Sequence, residues 1–172
     1  MKAIAVISKN GAIGKDGALL FHIPSDLKHF RSETIEKTLI MGRKTLESMP
    51  HGQPLPKRNT LVLSSSLNEG LFWEKDGYSA RSFSDSSRLL SFIHASCDLR
   101  DVIVAGGGQI YQLFLPYCDE LILTEVDAQA EADTFFPSFR EDFTCFEDSG
   151  LIDEDGYQYH IRKYRRTHVQ ER

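Results

Sequence analysis

The segment VIVAGGGQIYQLFLP, Val102–Pro116, joins an apolar run to three consecutive glycines and then to a stretch with helical spacing. The apolar residues Val102–Ala105 predict a short buried strand. Glycines at a strand-to-helix turn let the backbone approach a ligand closely, and the first N–H groups of the helix can bind phosphate. The spacing is not the dinucleotide fingerprint G-x-G-x-x-G, because Ile110 and Tyr111 stand where the last glycine is due. The segment therefore predicts an α/β fold with either a phosphate-binding turn or a tight packing turn.

A second strand–glycine–helix turn occurs in LIMGRKT, where the strand Thr38–Gly42 is predicted to end. Arg43, Lys44 and Thr45 follow it and can meet phosphate groups at a helix N-terminus. Seen alone, the turn is equally consistent with a solvated basic surface. Two such turns in one small chain predict an extended, phosphate-bearing cofactor across the strand ends.

Hydroxyl and guanidinium groups follow two further predicted strands. Ser64 and Ser65 come after one, and Arg81 comes after another. We expect both strand ends to lie near Arg43. A cluster of this kind beside an adenosine distinguishes a 2′-phosphate from a free hydroxyl. Each residue taken singly is as consistent with an ordinary surface position.

The remaining segments alternate between strands and helices and then become strands alone. This order predicts a mixed sheet with helices on its faces, parallel in the first part and antiparallel at the end. The predicted elements are a strand Ala3–Ser8, a long loop in KNGAIGKDGALL, a helix Pro24–Ile35, a short helix from Arg43 stopped by Pro50, strands in Asn59–Ser66 and Gly77–Phe83, a helix capped by Ser84 and ending near Ala95, a strand Glu120–Val126, and an antiparallel edge strand Tyr157–Arg166.

Composition excludes several classes of protein. The 172 residues fit one domain, 1–172, and the net charge of −5 argues against a general nucleic-acid binder. The three cysteines include no C-x-x-C pair and indicate thiols in a reducing compartment. No apolar run approaches the ~20 residues of a membrane span, and the histidines show no metal-ligand spacing. We expect a soluble, cytoplasmic, monomeric protein with no metal, no nucleic acid and no membrane partner.

The stretch LLFHIPSDLKHF, Leu19–Phe30, carries one carboxylate, Asp26, among apolar residues. One interpretation is a helix beginning at Pro24, with the acid favoured in its first turn by the helix dipole. The other is a pocket acid that pairs with a cationic or amide-like ligand. The stretch alone leaves both open.

Taken in order, these segments resemble the dihydrofolate reductase family from Ala3 to about Arg165. The resemblance is carried by AIAVISKNGAIGKDGALLFHIPSDLKHF, IMGRKTLESMP, PLPKRNTLVLSS, VIVAGGGQIYQLFLP and LTEVDAQAEADTFFP. It implies a single-domain fold with an eight-stranded, mainly parallel mixed sheet, about four flanking helices and an antiparallel C-terminal hairpin. An adenosine-binding subregion is expected at about 38–105. The implied reaction is hydride transfer from NADPH to C6 of 7,8-dihydrofolate with protonation of N5, which yields tetrahydrofolate for one-carbon metabolism.

The resemblance also implies a substrate site. Asp26 matches the buried acid that binds ring N3 and the 2-amino group of the pterin, and Thr124 matches the hydroxyl behind it. Ile4 and Val6 offer backbone carbonyls, the first to the pterin and the second to the nicotinamide carboxamide. Arg58 matches the clamp for the glutamate α-carboxylate. The expected catalytic set is Asp26, Thr124, Phe21 and Leu19, and the expected pocket lining is Leu27, Phe30, Met49, Leu55 and Ala105.

The implied cofactor site is larger. Arg43, Ser64, Ser65 and Arg81 match the 2′-phosphate site, Lys44 and Thr45 the pyrophosphate site, and Gly106–Gly107 a cis peptide. The other expected cofactor contacts are Val6, Ile13, Gly14, Leu19, Gly42, Leu63, Ala105, Gly108, Gln109, Ile110 and Tyr111. The loop Lys9–Ile23 matches a mobile lid, which Asp133 is expected to steady by bonds to backbone N–H groups around Gly14 to Asp16.

Three positions depart from the family pattern. Phe21 stands where many members have tryptophan, Gln109 where an arginine often assists the cofactor phosphates, and Leu46 where an aromatic is common. Two alternatives remain: a riboflavin-pathway pyrimidine reductase of the same fold, and a nucleotide-binding regulatory module without catalysis. The joint presence of Asp26 and Arg58, which would serve the substrate, argues against both.

Overall fold

The computed structural model describes residues 1–15 and 18–167, apart from the side chains of residues 18 and 19. The strands are β1 Lys2–Ile7, β2 Ala12–Lys15, β3 Ala18–Leu19, β4 Thr38–Gly42, β5 Asn59–Leu63, β6 Gly70–Lys75, β7 Tyr78–Phe83, β8 Val102–Val104, β9 Glu120–Val126, β10 Thr134–Phe135, β11 Phe143–Asp148, β12 Ile152–Glu154 and β13 Tyr157–Arg166. The helices are α1 Pro24–Thr34, α2 Arg43–Ser48, α3 Ser86–Ser96 and α4 Gly108–Phe114. Among the described residues, no helix has the length and apolar character needed to cross a membrane.

The main sheet is mixed, as predicted. Its order is β11-β13-β9-β1-β8-β4-β5-β7-β6, with β12 attached to β13. The pairs from β9 through β1, β8, β4 and β5 to β7 are parallel. The pairs that involve β11, β12, β13 and β6 are antiparallel. The mainly parallel sheet, the four helices and the antiparallel C-terminal end are therefore confirmed.

The expected count of eight strands is wrong, because this sheet has ten in the described part of the chain. Seven strands of this sheet were located in the sequence. The other three, β6, β11 and β12, carry mostly exposed residues and so show no buried face. β6 and β7 are joined by a two-residue turn, Asp76–Gly77. Both residues have positive φ, 53° and 85°, as a two-residue hairpin requires.

Three local expectations also need correction. The predicted loop KNGAIGKDGALL contains β2 and β3, which form a separate three-stranded sheet with β10. The strand β13 is not at an edge, because it pairs with β9 on one side and with β11 and β12 on the other. The cap of α3 is Asp85, whose carboxylate accepts from Ser87 N–H at 2.7 Å, whereas Ser84 bonds Glu69. Exposed polar side chains can cap or pair in several ways, so sequence spacing does not select among them.

Candidate active site

A crevice opens beside β1 at the carboxyl ends of the central strands. β1 pairs with β9 along its full length but with β8 only at Lys2 and Ala3. The chain after β8 turns toward β4 instead, where Ala105 N–H donates to Ile40 C=O at 2.8 Å and Gly42 N–H to Gly106 C=O at 2.9 Å. The β8 side of β1 is therefore open beyond Ala3. Ligands of open α/β sheets bind in crevices of this kind.

The side chain of Asp26 is buried at this crevice. It stands in the first turn of α1 and is 7% exposed. Thr124 Oγ1 of β9 donates to Asp26 Oδ1 at 2.5 Å, whereas none of the described residues donates to Oδ2. Burial raises the pKa of the Asp26 carboxyl above its ordinary value, and the hydrogen bond from Thr124 and the charge of His29 oppose this rise. An acid held in this way needs a partner with hydrogen-bond donors.

Most of the expected pocket lining lies together. Ile4 is part of a buried apolar cluster with residues of β4, β5, β8 and β9. Four further expected residues pack against that cluster and remain partly accessible: Phe30, Met49, Leu55 and Ala105. Leu27 differs, because it is 51% exposed.

A second apolar cluster adjoins the start of α1. Ile23, Val126 and Tyr159 form its buried part, and Val6 and Phe21 pack against them. The Phe21 ring meets Tyr157 edge-on, with centroids 5.5 Å apart. Phe21 and Val6, both expected site residues, thus pack against the same cluster. For Leu19 only the backbone is described, and it pairs with Gly14.

Arg58 is a buried cation at the far end of α1. It is 4% exposed, and its Nε donates to Thr34 Oγ1 at 3.2 Å. Its terminal nitrogens donate to the carbonyls of Pro56 at 2.7 Å and Arg31 at 3.3 Å. Burial lowers the pKa of Arg58, and the charge of Arg31 lowers it further. Because none of the described residues supplies a carboxylate, the guanidinium has capacity for an anionic ligand.

The three glycines between β8 and α4 have different surroundings. The predicted cis peptide joins Gly106 to Gly107. Gly106 has φ +109°, and a Cβ there would lie 3.2 Å from the Tyr111 ring. A Cβ at Gly108 would lie 2.6 Å from Thr134 Cγ2, whereas one at Gly107 would meet only Thr45 Oγ1, at 3.8 Å. Packing therefore explains glycine at two of the positions, and space for a ligand remains at Gly107.

Tyr111 closes the floor of the crevice. It is 5% exposed, and its hydroxyl donates to Ile4 C=O at 2.6 Å. Burial raises the pKa of Tyr111, so the hydroxyl stays protonated. Ile13 and Ile110 lie in the same buried cluster as this ring. The bond to Ile4 links residues 107 positions apart and has no signal in the sequence.

Among the described residues, no hydrogen bond or ion pair links the side chains of the expected 2′-phosphate residues to one another. Arg43 Nη1 pairs with Glu47 Oε1 at 2.6 Å within α2. Ser64 follows β5 as predicted, and its hydroxyl bonds Ser66. Arg81 does not follow a strand, because it lies within β7, and its guanidinium sits over the Phe92 ring at 5.5 Å. The expected position of Arg81 at a strand end is therefore wrong.

The remaining cofactor positions border the same turns and loops. Gly42 precedes α2, and a Cβ there would lie 3.3 Å from Ile110 Cγ1. The other expected residues in this group are half-buried Thr45, Leu63 and Gly108, and exposed Lys44, Ser65 and Gln109.

Asp133 contacts the expected lid segment, but with its own backbone N–H as the donor, whereas bonds to backbone N–H groups of the lid were expected. Asp133 N–H donates to Gly14 C=O at 3.1 Å, and Thr134 Oγ1 donates to the Asp133 carboxylate at 2.9 Å. β10 then pairs with β2. Asp16, the other end of the expected contact region, lies outside the described residues. The first loop is thus attached to the segment that carries Asp133.

Two contacts of the site were missed in the sequence. His29 lies beside Asp26 and Glu33, a spacing of three and four residues that could have revealed it. Thr34 accepts from Arg58 and donates to Phe30 C=O at 2.8 Å, a partnership across elements that no local pattern shows.

A mixed α/β sheet with a buried acid and a glycine turn is typical of small-molecule enzymes of the nucleotide-dependent type. The family model described as dihydrofolate reductase matches residues 1–166. The dihydrofolate reductase of Haemophilus influenzae is 39% identical over 136 residues, covering 78% of this chain and 76% of that protein. The dihydrofolate reductase of Enterococcus faecium is 35% identical over 163 residues, covering 92% of this chain and 92% of that protein.

A solved structure shows the same likeness. It is the dihydrofolate reductase of Enterococcus faecalis complexed with NADP(H) and RAB-propyl, with a TM-score of 0.77, 32% identity, and coverage of 97% of this chain and 96% of that one. The chain belongs to the dihydrofolate reductase family. It is an NADPH-dependent oxidoreductase that reduces dihydrofolate to tetrahydrofolate.

Proposed function

We propose that Asp26 and Arg58 bind opposite ends of dihydrofolate, and that α1 sets the distance between them. Asp26 lies in the first turn of α1, and Arg58 bonds Thr34 in its last turn. Eight residues of helix span about 12 Å. Two buried charges of opposite sign, each without an oppositely charged carboxylate or guanidinium among the described residues, are the observation that carries this proposal.

The ligand that fits these charges has three parts. At Asp26 it must offer hydrogen-bond donors, as N3 and the 2-amino group of a pterin do. Between the charges it must be apolar or aromatic, because Phe30, Met49 and Leu55 line that region. At Arg58 it must offer an anion, as the α-carboxylate of the glutamate tail does.

Asp26 acts in this proposal as an orienting and electrostatic group. A carboxylate bound at N3 lies on the far side of the ring from N5, so it cannot deliver that proton itself. Its charge favours development of positive charge on the pterin, and water reaches N5 through the crevice. Thr124 holds the carboxylate in place.

The residues around the glycine turn fit the cofactor. NADPH supplies the hydride for C6 when bound. Gly107 leaves room for close approach, Thr45 faces it, and the carbonyl of Val6 lies on the open stretch of β1. Arg43, Ser64, Ser65 and Arg81 are proposed for the 2′-phosphate, so Arg43 would exchange its partner Glu47 for the ligand.

The proposal extends to the organisation of the chain. Residues 1–172 would form one domain, with residues of about 38–105 binding the adenosine end of the cofactor. The net charge of −5 supports a protein without nucleic-acid partners. A monomer in the cytoplasm, without a membrane partner, is the form we propose.

Oxidation of NADPH with dihydrofolate, followed by absorbance, tests the function. Asp26→Asn should slow hydride transfer about a hundred- to a thousand-fold at neutral pH, the cost of one preorganised electrostatic group. The variant should recover part of its rate as pH falls, because solvent then protonates the substrate. Asp98→Asn, at an exposed cap, is the control. A rate within about threefold of wild type would return Asp26 to the helix-dipole role.

The same assay separates the alternatives. A pyrimidine reductase would oxidise NADPH with its own substrate and not with dihydrofolate. A regulatory module would bind NADPH without oxidising it.

A further inference from the structure

A histidine lies between the buried acid and a second carboxylate on α1. His29 stands three residues after Asp26 and four before Glu33, so the three side chains share one face of the helix. Its Nδ1 is 3.9 Å from Asp26 Oδ1, and its Nε2 is 3.4 Å from Glu33 Oε1. The imidazole side chain is only 19% exposed. Solvent therefore screens these charges less than it would at an open surface.

The neighbouring strands complete this arrangement. Lys163 of β13 lies 3.6 Å from Glu33 Oε1 and 3.3 Å from Glu147 of β11. On the inner side, Thr124 of β9 donates to the same Asp26 oxygen that faces the imidazole. The outer carboxylate is thus shared between a lysine and the imidazole, which fixes the position of the ring.

One more acid lies near this end of α1. Asp155 accepts hydrogen bonds from the N–H and hydroxyl of Ser25, at 3.3 and 3.1 Å. The charged groups that face the imidazole itself are therefore Asp26 and Glu33 on its own helix, with Lys163 reaching Glu33 from the sheet.

We propose that His29 is a positioning residue for the reduction: in its protonated form it stabilises the Asp26 carboxylate, and Glu33 holds it in place. This inference rests on the proposed role of Asp26. A positive charge 3.9 Å from Asp26 Oδ1 favours the ionised acid. The imidazole thereby assists Thr124 in keeping the acid ready for a pterin.

The consequence is a shift in the titration of the acid. Burial raises the pKa of Asp26, while the Thr124 bond and the His29 charge lower it. Over the acidic range in which carboxyl groups titrate, an imidazole is ordinarily protonated. Without the imidazole, Thr124 alone opposes burial, so Asp26 should keep its proton to higher pH.

The first test measures the acid directly, in protein without ligands. Carbon NMR of side-chain-labelled aspartate gives the titration midpoint of Asp26, and loss of its signal in Asp26→Asn assigns it. In His29→Gln the midpoint should rise by about 0.5–1 pH unit, below the full effect of a hydrogen-bonded opposite charge. His94→Gln, at the end of α3, should leave it unchanged.

Glu33→Gln is the second variant and keeps the test valid if the first one folds poorly. This variant keeps the imidazole but removes the carboxylate that holds it in position. The titration midpoint of Asp26 should therefore rise, but by less than in His29→Gln. An unchanged midpoint in both variants overturns the inference, whatever their activity.

The second readout is single-turnover hydride transfer across a pH series. The pH of half-maximal rate in His29→Gln should shift upward by the same amount as the NMR midpoint. One outcome contradicts the proposed role of Asp26: the NMR midpoint moves, the pH dependence of the rate does not, and Asp26→Asn remains active. In that case His29 has no role in the reduction either. If Asp26→Asn is inactive and the midpoint is unmoved, only the inference about His29 fails.

Discussion

Relative to wild type, Asp26→Asn should gain folding stability as pH rises, although it removes the acid that we propose binds the substrate. The pKa of Asp26 is raised above its ordinary value of 3.8, so the folded state binds this proton more tightly than the unfolded chain. The stability that results is fully present below the unfolded pKa and is lost as pH rises through the folded pKa. Asparagine carries no charge, so the variant does not suffer this loss.

The magnitude follows from the surroundings of the carboxylate. Asp26 is 7% exposed and has one hydrogen bond at 2.5 Å. The helix dipole favours the ionised acid by about 0.3–1 kcal/mol and so opposes the destabilisation caused by burial. The new amide also changes the free energy of unfolding by an amount that does not depend on pH. That amount cancels when two pH values are compared. We expect the free energy of unfolding of the variant, relative to wild type, to rise by about 1–2 kcal/mol between about pH 4 and about pH 8.

Urea unfolding of both proteins at the two pH values, without ligands, measures this difference. Asp98→Asn supplies a control that should change little between these two pH values. Hydrogen bonds from Arg100 lower the pKa of Asp98 from 3.8 to about 2, so its stabilising effect is present above the ordinary value and is lost mainly below about pH 4. A difference for Asp26→Asn that stays constant or falls with rising pH would refute the burial argument.

Three further predictions concern the rest of the site. Arg58→Ala should raise KM for dihydrofolate by about ten- to a hundred-fold, because a charge-assisted contact is lost. KM for a substrate without the glutamate tail should not change, and an equal rise for both substrates would indicate a structural role. Arg43→Ala should reduce the preference for NADPH over NADH, measured as the ratio of kcat/KM values, and an unchanged ratio would mean that the 2′-phosphate lies elsewhere. Gly108→Ala should lower the free energy of unfolding by about 1–3 kcal/mol, because its Cβ would lie 2.6 Å from Thr134 Cγ2. Thr134→Ser in the same protein removes that methyl group and should restore most of the loss in thermal denaturation, and no recovery would contradict the steric explanation.

Strands with a regular apolar pattern could be predicted to the residue. The bounds of β9 and β13 agree with the continuous apolar run Glu120–Val126 and the alternating run Tyr157–Arg166. β2 and β3 were missed inside a predicted loop. The other missed strands, β6, β10, β11 and β12, have mostly exposed or half-buried side chains, so burial left no trace in their composition. Alternation also could not show that β13 is flanked on both sides. Strands pair through backbone groups, and because every residue carries these groups, the side-chain pattern does not show how many neighbours a strand has.

The candidate site also contains some residues that the sequence could predict and some contacts that it could not. Residues beside the two glycine turns were predictable, because a turn of this kind requires glycine and leaves backbone groups free. Contacts between distant elements were not. The bonds from Tyr111 to Ile4 and from Arg58 to Thr34 depend on how helices cross the sheet. Arg81 shows a different error, since it was expected after a strand but lies inside β7, whose last residue is Phe83 as predicted.

The two interpretations of Asp26 could not be separated in the sequence because one position of α1 is compatible with both. α1 begins at Pro24, and Asp26 is the acid of its first turn, as the helix-dipole interpretation requires. The same side chain is buried on Thr124, as the pocket interpretation requires. The first turn is the part of α1 nearest β9, so the position that favours an anion is also the position that buries it. A helix start beside a strand end therefore accounts for a single acid in an apolar stretch, and the pH dependence of Asp26→Asn measures how far burial outweighs the dipole.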